Sequence, residues 1–239
     1  MSFEKKALEN EIKVRNNNYP GRGIVIGKTP DAEKYVQIYW IMGRSSNSRN
    51  RIFVREGDSV KTQAFDEKKM EDPSLIIYYP ARAYNNYHII TNGDQTDTVY
   101  DHLASGKDFV SALNTREFEP DSPNYTPRIS GLVDLNKKTY SLAILKSINN
   151  DASLSQKNYY NYYGGIPGIG HCIHTYMDDG NPLPSYEGEP FMMKLDNEIE
   201  QSAEFFWNLL NEDNRISLLV KHIEVESGKT EIKIINKHN

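Results

Sequence analysis

The chain has 239 residues, of which 38% are apolar and 26% charged, a composition typical of a folded globular protein. Its formal net charge of -5 argues against nucleic acid as the main partner, because binding along a phosphate backbone requires a basic surface. No run reaches the roughly 18 consecutive apolar residues that span a bilayer, and residues 1–15 alternate charges where a signal peptide has an apolar core. We therefore expect a cytoplasmic protein that does not bind membranes.

The first half of the chain is predicted to be rich in β-strands. Residues 1–18 are polar and predict a helical or frayed N-terminal extension, so that residues 19–239 form a single domain. An apolar run opens this domain, and a turn at residues 29–31 follows it, which predicts a hairpin. The strands expected in this half are residues 23–27, 35–42, 51–55, 60–65, 75–79 and 87–91.

Helices and strands alternate in the second half. A short helix over residues 97–105 should stop at Gly106, and another should begin near Lys107 or Asp108. A helix from Asn197, capped by Asp196, should bury a stripe that consists of Ile199, Ala203, Phe206, Trp207 and Leu210. The strands expected here are residues 129–135, 139–145, 172–176, 216–225 and 230–235, the last two as a hairpin.

Residues 149–170 form a Tyr- and Gly-rich insertion with no clear strand or helix pattern. They contain Tyr159-Tyr160-Asn161-Tyr162-Tyr163, followed by several glycines. We interpret this segment as a surface loop packed by its own tyrosines, with an aromatic binding surface as the alternative.

The order of these elements predicts an α+β fold in which two packed sheets carry helices on their outer faces. A Gly-rich phosphate loop and a nucleophile elbow are both missing from the sequence, which argues against the common nucleotide-binding folds. Cys172 is the only cysteine, so an intramolecular disulfide is excluded. We interpret His171-Cys172-Ile173-His174 as a strand with alternating faces and expect neither a metal nor another cofactor.

The polar run from Tyr84 to Thr98 is the first candidate site. Tyr84-Asn85 leads through an apolar strand into Thr91-Asn92-Gly93-Asp94-Gln95-Thr96-Asp97-Thr98. Asn92-Gly93 suits a turn with positive φ, and Thr96 or Asp97 is expected to cap the next helix, whose N-terminus attracts anions. The sequence therefore predicts a pocket for a small anionic metabolite.

Two further polar clusters are candidates for binding and catalysis. Residues 43–51 read Gly-Arg-Ser-Ser-Asn-Ser-Arg-Asn-Arg, and arginines among hydroxyl and amide groups suit a phosphate monoester. A solvated basic loop is the alternative. Glu117 and Glu119 would share one face of an extended segment, with Arg128 shortly after them, although two surface acids are equally compatible with the sequence.

In this order the clusters resemble the archaeal-type IMP cyclohydrolase family. The motifs that carry the resemblance are Tyr19-Pro20-Gly21-Arg22-Gly23-Ile24, the loop from Gly43 to Arg49, Ala83-Tyr84-Asn85, the run from Thr91 to Thr98, and Thr126-Pro127-Arg128-Ile129. The similarity extends more weakly through Thr175-Tyr176 and Glu187-Gly188-Glu189-Pro190. It covers most of the chain from Tyr19 onward.

The resemblance implies a four-layer α-β-β-α sandwich of the N-terminal-nucleophile-hydrolase type, without the nucleophile that gives this fold its name. It also implies an enzyme of purine biosynthesis, a hydrolase acting on cyclic amidines. The reaction closes the purine ring of 5-formamidoimidazole-4-carboxamide ribotide to give inosine monophosphate and water, with no cofactor. The partner is then a purine ribotide, and homo-oligomerisation is left open.

The resemblance also implies roles for individual residues. The expected catalytic residues are Tyr84 and Asn85 at the reacting amides, Glu119 as proton carrier, and Arg128 as its electrostatic partner. We expect Arg44, Ser45 and Arg49 to bind the phosphate. Residues Asn92, Gly93, Thr96 and Asp97 would form the floor of the nucleotide pocket.

Two departures from the family pattern keep an alternative open. They are the extension at residues 1–18 and the insertion at residues 149–170. The alternative is a cyclohydrolase-like protein that acts on, or senses without catalysis, a different purine or imidazole ribotide.

Overall fold

The computed structural model describes residues 2–70 and 77–238, and the element bounds below refer to these ranges. The α-helices are α1 (Phe3–Asn16), α2 (Ser46–Arg49), α3 (Gln95–Ala104), α4 (Phe109–Asn114) and α5 (Ile199–Leu209). The first strands are β1 (Gly23–Lys28), β2 (Lys34–Met42), β3 (Ile52–Glu56), β4 (Ser59–Gln63), β5 (Ala81–Tyr84), β6 (Tyr87–Thr91) and β7 (Arg128–Asp134). The remaining strands are β8 (Thr139–Ile148), β9 (Asp151–Tyr163), β10 (Ile169–His174), β11 (Phe191–Lys194), β12 (Arg215–Glu224) and β13 (Thr230–Asn236).

These strands form two antiparallel sheets. Sheet 1 has six strands in the order β11-β10-β1-β2-β12-β13, and sheet 2 has seven in the order β3-β4-β5-β6-β7-β8-β9. The hairpins expected at residues 23–42 and 216–235 are confirmed, because β1 pairs with β2 and β12 pairs with β13. Strand β10 confirms the interpretation of His171 to His174 as a strand.

The two sheets pack face to face around one buried core. Tyr35, Tyr39 and Ile41 of β2 lie in the same buried cluster as Ile90 of β6 and Leu142 of β8. These positions alternate along each strand, as expected for the inward face of a pleated sheet. The predicted pair of packed sheets is confirmed.

Helices cover the outer faces of both sheets. Helix α5 packs on β12 and β13 of sheet 1, where Phe206 stacks on Trp40 of β2 with the ring centroids 6.4 Å apart. Helix α1 packs against β11, while α3 and α4 share a buried cluster with the outward side chains of sheet 2, such as Ile89 and Leu132. The α+β class is therefore confirmed, with the helices outside the sheets.

Some predicted elements were wrong. The Tyr-rich segment is not a loop, because residues 151–163 form β9 along the full length of β8. Helix α3 begins at Gln95 rather than Asp97, and α5 begins at Ile199 rather than Asn197, with Glu198 in the cap position predicted for Asp196. The strand predicted at residues 75–79 lies partly outside the described residues, and residues 77–79 are not in a strand.

No helix among the described residues is long and apolar enough to cross a membrane.

Candidate functional site

The run from Thr91 to Asp97 connects β6 to α3 and lies against the start of β7. The Asn92 side chain ties these elements together, because its Nδ2 donates to Pro127 O at 2.9 Å and its Oδ1 accepts from the Ile129 N–H at 2.9 Å. The Thr91 and Thr96 hydroxyls are 2.6 Å apart and both buried. These hydrogen bonds hold the polar segment in place beside Arg128.

Gly93 is required here because neighbouring side chains approach its Cα closely, and not because of its backbone φ angle. The positive φ expected at Asn92-Gly93 is wrong, because neither residue has one. A Cβ on Gly93 would instead lie 2.7 Å from Gln95 Oε1, 2.8 Å from Arg128 Nη1 and 3.5 Å from Glu119 Oε1. The polar groups of three segments therefore meet over this glycine.

Arg128 is buried at the start of β7 and is held by α3. Its Nη1 donates to Asp94 Oδ1 at 2.6 Å and to Gln95 Oε1 at 2.7 Å. The other Asp94 oxygen accepts from Arg116. Two guanidinium groups therefore hold the Asp94 carboxylate and lower its pKa, although partial burial opposes that shift. Because both carboxylate oxygens bind arginines, the Asp94 side chain does not cap α3. Thr96 and Asp97, which were the expected caps, lie inside the helix.

Glu119 lies between α4 and β7 and is only 5% exposed. Its N–H donates to Thr126 O at 2.9 Å, which closes the loop between the two residues. Burial raises the pKa of the Glu119 carboxyl, while the positive charges of Arg22 and Arg128 oppose the rise. A carboxyl group with a raised pKa can hold a proton closer to neutral pH, which suits a proton carrier.

Two further arginines lie near Glu119. Arg22 precedes β1, and Arg51, which is only 2% exposed, precedes β3. Burial disfavours the charged form of both arginines. For Arg22 the Glu119 carboxylate and nearby tyrosines outweigh burial and raise the pKa. For Arg51 the nearby positive charge of Arg22 adds to the effect of burial, so that its pKa is lowered. We call Arg22, Arg51, Glu119 and Arg128 the arginine–glutamate cluster.

Within the described ranges, neither Arg22 nor Arg51 forms an ion pair with a carboxylate. The only side-chain hydrogen bond of Arg51 in that part of the chain runs from Nε to Ser48 O at 3.0 Å, and the buried Nε of Arg22 has no partner there. The Glu119 carboxylate compensates part of the positive charge of Arg22 and Arg51, but the cluster contains three arginines and only this one carboxylate. Its excess of positive charge can attract an anion.

Tyrosine hydroxyls surround this cluster. The Tyr39 and Tyr78 hydroxyls are 2.7 Å apart, and burial raises the pKa of both, so they remain protonated donors at neutral pH. The Tyr176 hydroxyl lies 2.5 Å from Thr126 Oγ1. Because Thr126 Oγ1 donates to Asp121 Oδ2 at 2.5 Å, Tyr176 acts as the donor in its bond to Thr126.

The predicted phosphate loop forms helix α2 and the residues before it. Ser45 caps α2, its Oγ accepting from the Ser48 N–H at 3.1 Å. Arg44 pairs with Asp179 and lies over the Tyr19 ring at 4.9 Å, and Tyr19 in turn stacks on Tyr176. The Nη2 of Arg49 donates to Asn214 Oδ1 at 3.1 Å. Arg44 therefore lies at the edge of the arginine–glutamate cluster, where it contacts Tyr19.

Tyr84 and Asn85 are not brought to this cluster. Tyr84 ends β5, and Asn85 lies in the turn to β6. Residues 91–93 lie at the other end of β6, which is about 13 Å from this turn at the usual rise per residue of a strand. The Tyr84 ring contacts Tyr100 of α3 on the outer face of sheet 2, with centroids 5.5 Å apart. Asp97, also part of the predicted pocket floor, pairs with Arg82 at 2.5 Å.

Five functional candidates were given no individual role from the sequence, although Arg51 belongs to the predicted cluster at residues 43–51; they are Arg22, Arg51, Tyr39, Tyr78 and Tyr176. One signal was present for Arg22, because it stands directly before a predicted buried strand. The tyrosines gave no such signal, because the chain contains 16 of them.

The two-sheet α+β fold places buried arginines, a buried carboxyl and phenol donors at one end, an arrangement that can bind a small anion and transfer protons. Residues 19–228 match the sequence profile of the family described as IMP cyclohydrolase-like protein. Because this match spans most of the chain, the protein belongs to the IMP cyclohydrolase-like family.

Several archaeal proteins are similar over about half of the chain. The IMP cyclohydrolase of Methanopyrus kandleri is 35% identical over 120 residues, which cover 48% of this chain and 59% of that protein. The IMP cyclohydrolase of Methanothrix thermoacetophila is 31% identical over 121 residues, covering 48% and 57%. That of Methanocella arvoryzae is 32% identical over 120 residues, again covering 48% and 57%. The chain thus spans less than two thirds of the length of these relatives.

Proposed function

We propose that this chain is an IMP cyclohydrolase, a hydrolase acting on cyclic amidines, which closes the purine ring of 5-formamidoimidazole-4-carboxamide ribotide. The family and the names of the archaeal relatives supply the reaction. The observation that carries the proposal is the arginine–glutamate cluster, in which three arginines lie near one carboxyl, that of Glu119, whose pKa is raised by burial. A substrate with a phosphate and a reacting amide needs both features.

In the proposed reaction, the carboxamide nitrogen attacks the formyl carbon. Glu119 accepts a proton from that nitrogen and delivers it to the formyl oxygen, which becomes a hydroxyl group. The hydroxyl then takes a second proton and leaves as water, while the former formamide nitrogen loses its own proton to complete the ring. General acid–base catalysis of this kind contributes typically 10²–10⁴-fold to a rate.

The remaining residues bind and orient the ribotide. Arg22 and Arg51 hold the phosphate, and Arg128, itself fixed by Asp94 and Gln95, stabilises the oxyanion that develops at the formyl oxygen. Asn92, Gly93 and Thr96 form the wall of the pocket. Arg44, Ser45 and Arg49, assigned to the phosphate from the sequence, become residues of the rim in this proposal.

Two broader features belong to the same proposal. The fold is of the N-terminal-nucleophile-hydrolase type, which the two packed antiparallel sheets with outer helices support. The protein binds a nucleotide and acts in the cytoplasm, where purine biosynthesis would supply its substrate. The catalytic groups proposed here are side chains within the fold, so no N-terminal nucleophile takes part.

The experiment that tests this function compares two neighbouring glutamates. Purified protein is incubated with the formamido ribotide, and inosine monophosphate is followed by absorbance. Glu119→Gln should lower kcat by about 10²–10⁴-fold, because it removes the proton carrier at nearly constant size. Glu117→Gln is the matched control, since this exposed carboxylate lies two residues away and should leave kcat unchanged. A wild-type rate no higher than the uncatalysed one would refute the proposal.

A further inference from the structure

Two buried hydroxyl groups connect the edge of the arginine–glutamate cluster to a carboxylate near the surface. Tyr176 and Thr126 are only 2% and 1% exposed, whereas Asp121 is partly buried. The Tyr176 hydroxyl lies 2.5 Å from Thr126 Oγ1, which in turn lies 2.5 Å from Asp121 Oδ2. The Thr126 N–H donates to the other carboxylate oxygen, Asp121 Oδ1, at 2.7 Å. We call these three residues the hydroxyl relay.

The Asp121 carboxylate fixes the direction of every hydrogen bond in the hydroxyl relay. A carboxylate oxygen only accepts, so the Thr126 hydroxyl donates to Asp121 and accepts from Tyr176. Burial raises the pKa of the Tyr176 phenol, so this group keeps its one proton at neutral pH. Because that proton is directed at Thr126, the Tyr176 oxygen can only accept any further hydrogen bond.

The Tyr176 oxygen is an acceptor beside the cluster to which no group among the described residues donates. The Tyr176 ring lies against Gly21, where an added Cβ would be 2.5 Å from Tyr176 Cδ2, and Gly21 directly precedes Arg22. The charge of Arg22 lowers the pKa of the Tyr176 phenol and that of Glu119 raises it, so the phenol is close to both groups. A donor on a ligand in this cluster can therefore complete the hydrogen bonding of Tyr176.

The groups of the ribotide differ in what they offer to this acceptor. A phosphate dianion only accepts hydrogen bonds, so it cannot bond to the Tyr176 oxygen. Ribose hydroxyls can donate or accept, whereas the amide N–H groups can only donate. An acceptor whose direction is fixed by its neighbours discriminates most strongly in favour of groups that can only donate.

We propose that the Tyr176 oxygen accepts a hydrogen bond from an amide N–H of the ribotide, and that Asp121, acting through Thr126, is the positioning residue that fixes this polarity. The inference rests on the proposed function, because it concerns the substrate of the same site. Ring closure requires that the two amides be held in one orientation, and an acceptor of fixed direction restricts their rotation. Tyr176 is then a specificity-determining residue, which rejects ligands that place a carbonyl oxygen at this position.

A change of one atom in Asp121 should reverse the hydroxyl relay. In Asp121→Asn the amide oxygen must still accept from the Thr126 N–H, so the amide nitrogen faces the Thr126 hydroxyl. Thr126 then accepts from this nitrogen and donates to Tyr176, whose own proton turns toward the cluster. There it meets the N–H of the ribotide, and two donors face each other.

The test measures the binding of 5-aminoimidazole-4-carboxamide ribotide, which lacks only the formyl group of the substrate and cannot cyclise. By titration calorimetry, Asp121→Asn and Tyr176→Phe should each weaken binding by about 10-fold, the usual effect of one lost hydrogen bond. The double variant should bind as tightly as Tyr176→Phe, because Asp121 acts only through the Tyr176 hydroxyl. Losses that multiply to about 100-fold in the double variant would overturn the proposal.

Two changes at Thr126 separate the hydroxyl relay from simple packing. Thr126→Val keeps the size of the side chain but interrupts the relay, and it should weaken binding by about 10-fold. Thr126→Ser keeps the hydroxyl and should retain the affinity to within about 2-fold. Equal losses in the two variants would show that packing matters and not the hydroxyl, which would overturn the proposal.

Smaller ligands identify which part of the ribotide is recognised. Methyl phosphate at pH 8 is a dianion without a donor, so its affinity, measured by competition, should be the same in wild type and variants. A loss there would mean that the substitutions disturb the cluster itself, and it would overturn the specific role of Tyr176. Ribose 5-phosphate should also bind equally to all of them. Weaker binding of ribose 5-phosphate to Tyr176→Phe would assign the contact to a ribose hydroxyl and overturn the proposal.

The wild-type protein separates this inference from the function on which it rests. If the wild type binds the amino ribotide and all four single variants bind it equally well, the inference fails and the proposed function stands. If the wild type does not bind the amino ribotide, the proposed function and the inference are both overturned.

Discussion

Arg51 is a buried cation that forms no ion pair with a carboxylate within the described part of the chain. Its Nε donates to the Ser48 carbonyl, and burial together with nearby Arg22 lowers its pKa. Buried charges are retained at such a cost where a ligand of opposite charge completes the site. We therefore expect Arg51 to lower the stability of the free protein and to contribute to binding in the complex.

The consequence is that Arg51→Gln should separate stability from binding. The affinity for inosine monophosphate should fall by about 10–100-fold, because hydrogen bonds to charged groups are worth roughly 1.5–3 kcal/mol. The free energy of unfolding of the free protein should stay the same or rise, since an unpaired charge is removed. Titration calorimetry and urea unfolding measure the two quantities.

Arg55→Gln is the control for Arg51→Gln, because this exposed arginine lies on the same strand and bonds only to Gly57 O within the described residues. It should leave the affinity for inosine monophosphate unchanged. If Arg51→Gln left that affinity unchanged, the assignment of Arg51 to the phosphate would be refuted.

Tyr84 allows a direct comparison of the sequence-based and structural arguments. The sequence motif predicts that Tyr84→Phe lowers turnover. The structure places the ring on the outer face of sheet 2 against Tyr100, so we expect kcat close to that of the wild type. Tyr78→Phe should lower kcat instead, because the Tyr78 hydroxyl faces Tyr39 beside the arginine–glutamate cluster. A strong loss of turnover in Tyr84→Phe alone would restore the motif-based assignment.

At the scale of elements, the predicted N-terminal extension takes the helical of its two expected forms, and this helix, α1, packs against sheet 1. Its last two turns place Val14, only 3% exposed, in the outer core of sheet 1 together with Met193 and Leu195. Ile12 lies on the same helix but is 53% exposed. The polar sequence of this helix concealed the contact, because its apolar positions are few and only some of them face the sheet.

Val14→Ala should therefore destabilise the protein by about 1–2.5 kcal/mol, through lost burial and a small cavity. Ile12→Ala, on the exposed side of the same helix, should change the free energy of unfolding by less than about 0.5 kcal/mol. Urea unfolding of both variants measures the difference. Equal effects would mean that α1 does not dock as described.

Local sequence patterns predicted the helices and strands that have one apolar face. They failed for elements whose structure depends on pairing with a neighbouring strand. The hairpin of β1 and β2 and the stripe of α5 follow from sequence periodicity. Strand β9 does not, because Tyr160 and Tyr162 face the core while Tyr159 and Tyr163 lie on the outer face, so tyrosine occupies both faces. Its identity depends on its ladder with β8, which is a tertiary property.

The same reasoning applies to the candidate site. Glu119, Arg128, Asn92 and Gly93 could be found in the sequence because they lie in motifs near strand or helix ends. Arg22 and Arg51 become neighbours only because β1 and β3 belong to sheets that pack face to face. No local rule relates two residues whose proximity depends on the packing of two sheets.

At the scale of the whole molecule, several buried histidines make the fold sensitive to acid. Burial lowers the pKa of His88 to about 3, and the pKa values of His171, His174 and His222 to about 4. The ordinary pKa of histidine is about 6.5. Below that value the unfolded chain binds protons that the folded chain does not, so stability should fall as the pH drops from about 6.5 toward 4.

His88 gives the sharpest test of this linkage, because neither of its ring nitrogens has a hydrogen-bond partner among the described residues. In His88→Leu one proton-binding group disappears from the unfolded state without a bond being lost from the folded state. The slope of the free energy of unfolding against pH should decrease by about 1.4 kcal/mol per pH unit between pH 6 and pH 4.5. At pH 7.5, where the unfolded histidine is already neutral, the variant should be at least as stable as the wild type. Urea unfolding across this range measures both effects, and an unchanged slope would show that His88 is protonated in the folded protein.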